Sequence, residues 1–289
     1  MVEVIVGSDA VTAGILTRGQ LRWNYKSVYP DIYVPKSTEP TLAHRTRAAW
    51  LWTNRRGVIT GRAASALHGS KWIAKEAPVE ILARNNRPPR GIITRRERIA
   101  PGEITWINGM AVATPARAAL DLGRHLPRGE AVAHLDALGA ATGVTASEIL
   151  ELTHRYKGTN GVRLCREAVD LMDAGSQSPK ESWLRLVLID AGFPRPETQI
   201  PVLDNYGYPF AYLDMGWRDV KIAVEYDGEQ HRTDTVRYRR DAKRLRGIAA
   251  RGWIHIRVIT GDRSKEVEAW VKRARGQRES EGMAVKLPA

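Results

Sequence analysis

Two carboxylates stand inside apolar, strand-like runs late in the chain, and this placement restricts the fold more than any other feature. Tyr208 to Met215 is an apolar-rich run with Asp214 near its end, residues 216–219 form a turn-like gap, and Val220 to Asp227 reads as a second strand. Side chains two apart on a strand share a face. Lys221, Ala223, Glu225 and Asp227 therefore point one way, and Val220, Ile222, Val224 and Tyr226 the other. Burying an unpaired carboxylate is costly, so Glu225 and Asp227 beside Asp214 need a compensating positive charge. An all-oxygen set of this kind suits a hard divalent cation, magnesium or manganese, with Asp214, Glu225 and Asp227 as ligands.

The surrounding pattern reads helix (178–191), strand (about 197–203), strand (208–215), strand (220–227), helix (about 234–250), strand (253–259) and helix (264–276). That order predicts an α/β arrangement, a mixed sheet flanked by helices. Glu181 lies one turn into the first helix, where it serves a capping box with Ser178 and the helix dipole as readily as a metal. For Asp214 the alternative is a salt bridge to Arg218 or Lys221, and Asp227-Gly228 reads equally as a turn that ends the strand. His231, in the polar loop that follows, has the side chain whose titration near neutrality suits a general base. Arg237, Arg239, Arg240, Lys243, Arg244 and Arg246 make a basic run on the next helix. Such runs are ordinarily solvated faces, but Arg240 and Arg244, with Arg237 and Lys243 nearby, lie where they can follow a phosphate backbone. Trp217, beside the acidic strand, is either core or a wedge against a base.

A formal charge of +13 and a pI near 10.1 favour a polyanionic partner, with nucleic acid first. No long apolar run or amphipathic terminal segment points to a membrane. The opening MVEVIVGSDA lacks the basic region of a signal peptide. The single cysteine, Cys165, excludes an intrachain disulfide, and no Cys/His spacing suggests zinc. These features predict a cytoplasmic protein.

The 289 residues allow more than one domain. Thr17 to Trp23 reads as a short helix and Ser27 to Val34 as a β-prone piece, a helix-then-wing pattern of the winged-helix kind. Thr41 to Asn54 and Thr60 to Leu67 read as helices. Residues 79–113 are β-patterned, and Asn108-Gly109 is a two-residue hairpin signal. Four helical patterns follow at 115–125, 128–140, 145–157 and 161–173. The expected organisation is a winged-helix-like region (1–75), a β-hairpin segment with a helical bundle (76–174), an α/β domain (175–280) and a tail (281–289), with a hinge at 174–178.

The helix SPKESWLRLVLIDAGF with Glu181, the strand FAYLDMGW with Asp214, Glu225-Tyr226-Asp227-Gly228 ending in His231, the helix YRRDAKRLRGIAA and the strand GWIHIRVI form a series over residues 178–277. That series resembles the PD-(D/E)XK nuclease superfamily, and within it domains related to the very-short-patch-repair (Vsr) endonucleases. The resemblance implies a restriction-endonuclease-like fold and magnesium-dependent cleavage or nicking of DNA. Asp214, Glu225 and Asp227 would hold the metal, with His231 and Glu181 assisting. Asp227 stands where the motif's lysine falls, and Lys221 is the nearest migrated candidate. YPDIYVPK followed by VITGRAASALHG, within residues 10–70, resembles the N-terminal part of AbiEi-type antitoxins, with the usual opening helix truncated. This second resemblance implies a DNA-binding or partner-binding region. It also implies a rival function, a non-catalytic DNA-binding regulator or antitoxin of a toxin–antitoxin system. The expected partner is duplex DNA, and RNA is the third substrate reading.

Overall fold

The protein was analysed as a computed structural model that describes residues 4–84, 87–228 and 235–283, with backbone alone for 235–240. The chain divides into two compact units, Met1–Met172 and Asp173–Ala289.

The first unit opens with β1 (Ile5–Val6), α1 (Gly7–Thr12), α2 (Arg18–Asn24), β2 (Tyr25–Tyr29) and β3 (Ile32–Pro35), whose strands form an antiparallel sheet in the order β1-β3-β2. The expected helix is α2, started by a capping box in which Thr17 and Gln20 satisfy each other's backbone. The β-prone piece Ser27 to Val34 forms a hairpin of β2 and β3, turned at Asp31 with φ 62°. The Asp31 carboxylate accepts from the Ser8 N–H (2.9 Å) and hydroxyl (2.5 Å), tying the turn to α1.

Next come α3 (Leu42–Trp52), β4 (Val58–Thr60), α4 (Gly61–Leu67), β5 (Val79–Leu82), β6 (Ile92–Arg95), β7 (Ile104–Ile107) and β8 (Met110–Ala113). They build a five-stranded sheet ordered β6-β5-β4-β8-β7, parallel at β5–β6 and β4–β8. Asn108 and Gly109 both have positive φ (51° and 72°), the backbone that a two-residue hairpin turn demands. The helices α5 (Pro115–His125), α6 (Arg128–Thr142), α7 (Ala146–Arg155) and α8 (Val162–Asp170) pack on one another. A Cβ on Gly123 would sit 2.7 Å from the Cys165 sulfur, so this glycine permits the close approach of α5 to α8.

The second unit runs α9 (Pro179–Asp190), β9 (Glu197–Leu203), β10 (Pro209–Trp217), β11 (Ile222–Asp227), α10 (Thr235–Ala250), β12 (Ile254–Ile259) and α11 (Ser264–Ser280). The sheet order is β12-β11-β10-β9; β9, β10 and β11 pair antiparallel, and α10 connects β11 to its parallel neighbour β12. One core gathers Leu184, Leu188, Met215, Ile222, Val224 and Val267, and a second gathers Ile200, Val202, Leu213, Ala223 and Ile248. A fully buried side chain of this size contributes about 1.5–3 kcal/mol. Trp217 belongs to the first core at 5% exposure and donates its ring N–H to the Pro194 carbonyl (2.8 Å). Of the two readings of Trp217, the core one holds: a ring this enclosed has no face to offer a base.

The molecule is a mixed α/β protein with three sheets and eleven α-helices among the described residues. None of those helices is long and apolar enough to cross a membrane.

Candidate functional site

The antiparallel pairing of Met215 with Val224 and of Gly216 with Ala223 brings Asp214 beside the strand that carries Glu225. One Asp214 oxygen, Oδ2, accepts the Tyr226 N–H at 3.1 Å. Glu225 is buried at 8% exposure, and Arg244 of α10 grips it with two hydrogen bonds, to Oε1 at 2.5 Å and to Oε2 at 3.0 Å. His255 on β12 meets the same Oε2 through Nε2 at 2.6 Å. Arg244 also donates to the Tyr212 carbonyl at 2.8 Å, so one guanidinium joins β10 to β11. Glu181 accepts from the Gln177 N–H (2.8 Å) and the Ser178 hydroxyl (2.9 Å), and Ser178 Oγ accepts the Glu181 N–H (3.2 Å). The capping arrangement is realised, and its carboxylate faces the site's charges as well.

The three carboxylates feel one another. Burial pushes Asp214 up, the charges of Glu225 and Glu181 add to that push, and its pKa reaches about 7. Glu181 is raised by burial and by Glu225. Burial acts upward on Glu225 too, but hydrogen bonds from His255 and Arg244 outweigh it and hold the group at about 2. At neutral pH, then, Glu225 is ionised and clamped, while Asp214 is poised to lose or keep its proton.

The other predicted residues stand as follows. Asp227 forms an ion pair with Arg257, its neighbour on β12. Arg218 pairs with Glu197 at 2.7 Å, and Lys221 donates to the Arg251 carbonyl at 3.0 Å, so neither salt bridge expected for Asp214 is formed. Arg244, expected to follow phosphates, is engaged with Glu225, whereas Lys243 is exposed. Arg237 and Arg240 lie on α10 where only backbone is described, and His231 lies outside the described residues. The residue that sequence reasoning missed is His255. Its signal was present in the alternation of Ile254, Ile256 and Val258 with His255 and Arg257.

The donor set is all oxygen, which fits a hard cation. Among the described residues, Asp214 Oδ1 accepts no hydrogen bond, while both oxygens of Glu225 and of Glu181 are engaged.

The first unit holds a second concentration of charge. Fully buried Arg117 donates to Glu103 (2.8 Å), Asp121 (3.0 Å) and the Tyr156 hydroxyl (2.7 Å), and Thr60 donates to Asp121 (2.5 Å). Glu97, Asp121 and His125 each bring one ligand atom within 4.8 Å of the others. Burial acts upward on Glu97, yet hydrogen bonds from His125 and Arg124 bring it to about 2. Arg117 and Arg124 already supply positive charge to these carboxylates. Beside it lies a cleft of about 1050 Å³, lined by Val58, Leu82 and Arg56, Arg84, Arg95, Arg96 and Arg98 against a single acid, Glu97.

No family model matches the chain, and no solved structure matches it. It is similar to two curated proteins of Mycobacterium tuberculosis, "Uncharacterized protein Rv2248" of strain ATCC 25618 / H37Rv and "Uncharacterized protein MT2308" of strain CDC 1551 / Oshkosh. Each is 27% identical over 258 residues, covering 87% of this chain and 93% of the relative. A span of 258 residues exceeds either compact unit, so the likeness runs through both.

Proposed function

We propose that the second unit is a metal-dependent nuclease of the PD-(D/E)XK type, related to the Vsr endonucleases, that hydrolyses phosphodiester bonds in DNA. The observation that carries this reading is the burial of Asp214 beside the charges of Glu225 and Glu181, which together raise it to about 7. A fold keeps such electrostatic cost where charge has work to do. The order helix, three antiparallel strands, crossing helix and parallel strand supports a restriction-endonuclease-like core.

Asp214, with one oxygen open among the described residues, would be the first ligand of magnesium or manganese. Glu225 would be the second, once Arg244 turns from it to a phosphate. Bound metal of this kind polarises the scissile phosphate and lowers the pKa of an attacking water. His255, hydrogen-bonded to Glu225, would take or return a proton, the role expected of His231. Arg257 neutralises Asp227, which occupies the motif's lysine position. Lys243 and the released Arg244 would meet the phosphates, the sequence-independent part of DNA binding.

A second reading, a DNA-binding regulator of the AbiEi-antitoxin kind, is favoured by two observations. The first unit carries an arginine-lined cleft, and both Glu225 oxygens are already occupied. Cleavage of supercoiled plasmid and mismatched duplexes by wild type and Glu225→Ala, in magnesium, manganese and EDTA, separates the two. Metal-dependent nicking that disappears in the variant is expected. Absence of cutting on every substrate, with tight salt-sensitive binding retained, would transfer the assignment to the regulator.

A further inference from the structure

The second unit exposes its aromatic residues in one place. Tyr206 (87% exposed), Tyr208 (71%), Phe210 (38%) and Tyr212 (52%) fall within seven residues of the β9–β10 hairpin, with Leu203 (47%) at its other strand. No aromatic elsewhere in the described part of this unit is comparably exposed. Contiguous exposed apolar surface of this kind marks an interaction site.

The hairpin holds these rings in fixed positions. One Asp204 oxygen accepts the N–H groups of both Tyr206 (2.8 Å) and Tyr208 (3.0 Å), and the Asp204 N–H donates to the Tyr208 carbonyl (2.7 Å). Gly207, at φ 86°, supplies the left-handed turn between them. Phe210 is covered on one side by the Arg251 guanidinium, 4.4 Å from its ring centre. That guanidinium is itself bound to the carbonyls of Leu203 and Gly247. A Cβ on Gly247 would lie 2.9 Å from the Phe210 ring, so the glycine lets α10 approach the hairpin closely. At the far end of the row, Arg244 bridges the Tyr212 carbonyl and the Glu225 carboxylate. The exposed rings therefore lead, within the span of one guanidinium, to the carboxylate site.

We propose that this hairpin is a stacking platform for the unpaired bases of a nucleic-acid strand, delivering that strand to Asp214 and Glu225. The inference deepens the nuclease reading by naming an unpaired strand as the substrate class, and it rests on that reading for its role in cleavage. The chemistry favours nucleic acid over a second copy of the chain. Asp204, the acid in the hairpin's turn, is consumed by backbone N–H groups, and Arg251 over Phe210 and Arg244 at the Tyr212 carbonyl are the cations at the row. The chain's charge of +13 repels another copy and attracts phosphate. Aromatic faces need base faces, which a paired duplex keeps stacked inside and a single strand presents.

The test is binding of the full-length protein, in EDTA so that no metal-dependent cutting intervenes. The probes are a fluorescent single strand of about 16 nucleotides, the upper end of usual site sizes, and the same sequence as a duplex. The variants are Tyr206→Ala/Tyr208→Ala and the control Tyr206→Phe/Tyr208→Phe, with circular dichroism to confirm folding. Each stacking ring is worth about tenfold in affinity, so the alanine variant should bind the single strand about a hundredfold more weakly. The phenylalanine control should match wild type, and duplex affinity should change little. Equal binding by the alanine variant, or an equal loss on duplex, would overturn the platform. Self-association of wild type that the alanine variant abolishes would reassign the rings to an interface between copies. Glu225→Ala separates the two ideas. If wild type cuts nothing while the tyrosines still govern single-strand binding, the nuclease reading fails and the platform stands.

Discussion

Replacing Asp214 by asparagine should stabilise the protein at alkaline pH while abolishing its proposed catalysis. Asp214 has a pKa of about 7 in the folded chain against an ordinary 3.8. Burial is the largest cause of the rise, and the Glu225 and Glu181 charges add to it. A folded-state pKa above the unfolded value means that the native state holds the proton more tightly. Below the unfolded value both states are protonated and Asp214 costs nothing. The cost grows as pH rises from about 4 and is complete once pH has passed about 7. A difference of about 3 units, at roughly 1.4 kcal/mol per unit, sets a ceiling of about 4 kcal/mol at pH 8. At pH 5 the same arithmetic leaves about 1.5 kcal/mol, and at pH 3 essentially none. Asparagine keeps an oxygen for the Tyr226 N–H, so the substitution removes charge without orphaning that donor. Urea unfolding of wild type and Asp214→Asn, followed by tryptophan fluorescence at pH 8, 5 and 3, reads the difference in the transition of the second unit. A gain that grows with pH is expected, together with loss of any magnesium-induced stabilisation. A variant less stable than wild type at pH 8, or a gain independent of pH, would refute the raised pKa of Asp214 and with it the burial and neighbouring charges that cause it.

Two other perturbations address the first unit. Arg117→Met removes the fully buried cation shared by Glu103 and Asp121. Stranding buried carboxylates in this way should cost about 3–5 kcal/mol, read as a lower denaturant midpoint, and an unchanged midpoint would contradict the network. The Cys165 thiol is buried and its pKa pushed up to about 12, chiefly by desolvation. Ellman's reagent at pH 8 should therefore leave it unmodified in the native protein and label it rapidly in urea, since the thiolate is the reactive form. Prompt labelling of the folded chain would show that the α5–α8 packing is open.

Legibility in the sequence followed the range of the interaction involved. The helices of residues 115–170, the Asn108-Gly109 turn and the strands on either side of Asp214 and Glu225 are local patterns, and they appear where periodicity and turn chemistry place them. The strand β4 was missed because three fully buried residues carry no alternation to detect. The β-prone segment Ser27 to Val34, in contrast, is local, with Pro30-Asp31 breaking its aromatic β pattern where the hairpin turns. Trp217 looked available for a wedge until the sheet and its flanking helices closed around it.

The sequence by itself determined that carboxylates had to be buried on adjacent strands of an α/β unit, because alternation and apolar context are written within a few residues. Tertiary structure alone decided what compensates them. Arg244 reaches Glu225 from a helix that crosses the sheet, and His255 reaches it because β12 pairs in parallel with β11, thirty residues later in the chain. A crossover's register depends on how the whole helix packs, so the pairing of either residue with Glu225 was not readable from spacing. The same packing decided that Asp214, left with a single backbone donor among the described residues, is the carboxylate whose proton is held to about 7.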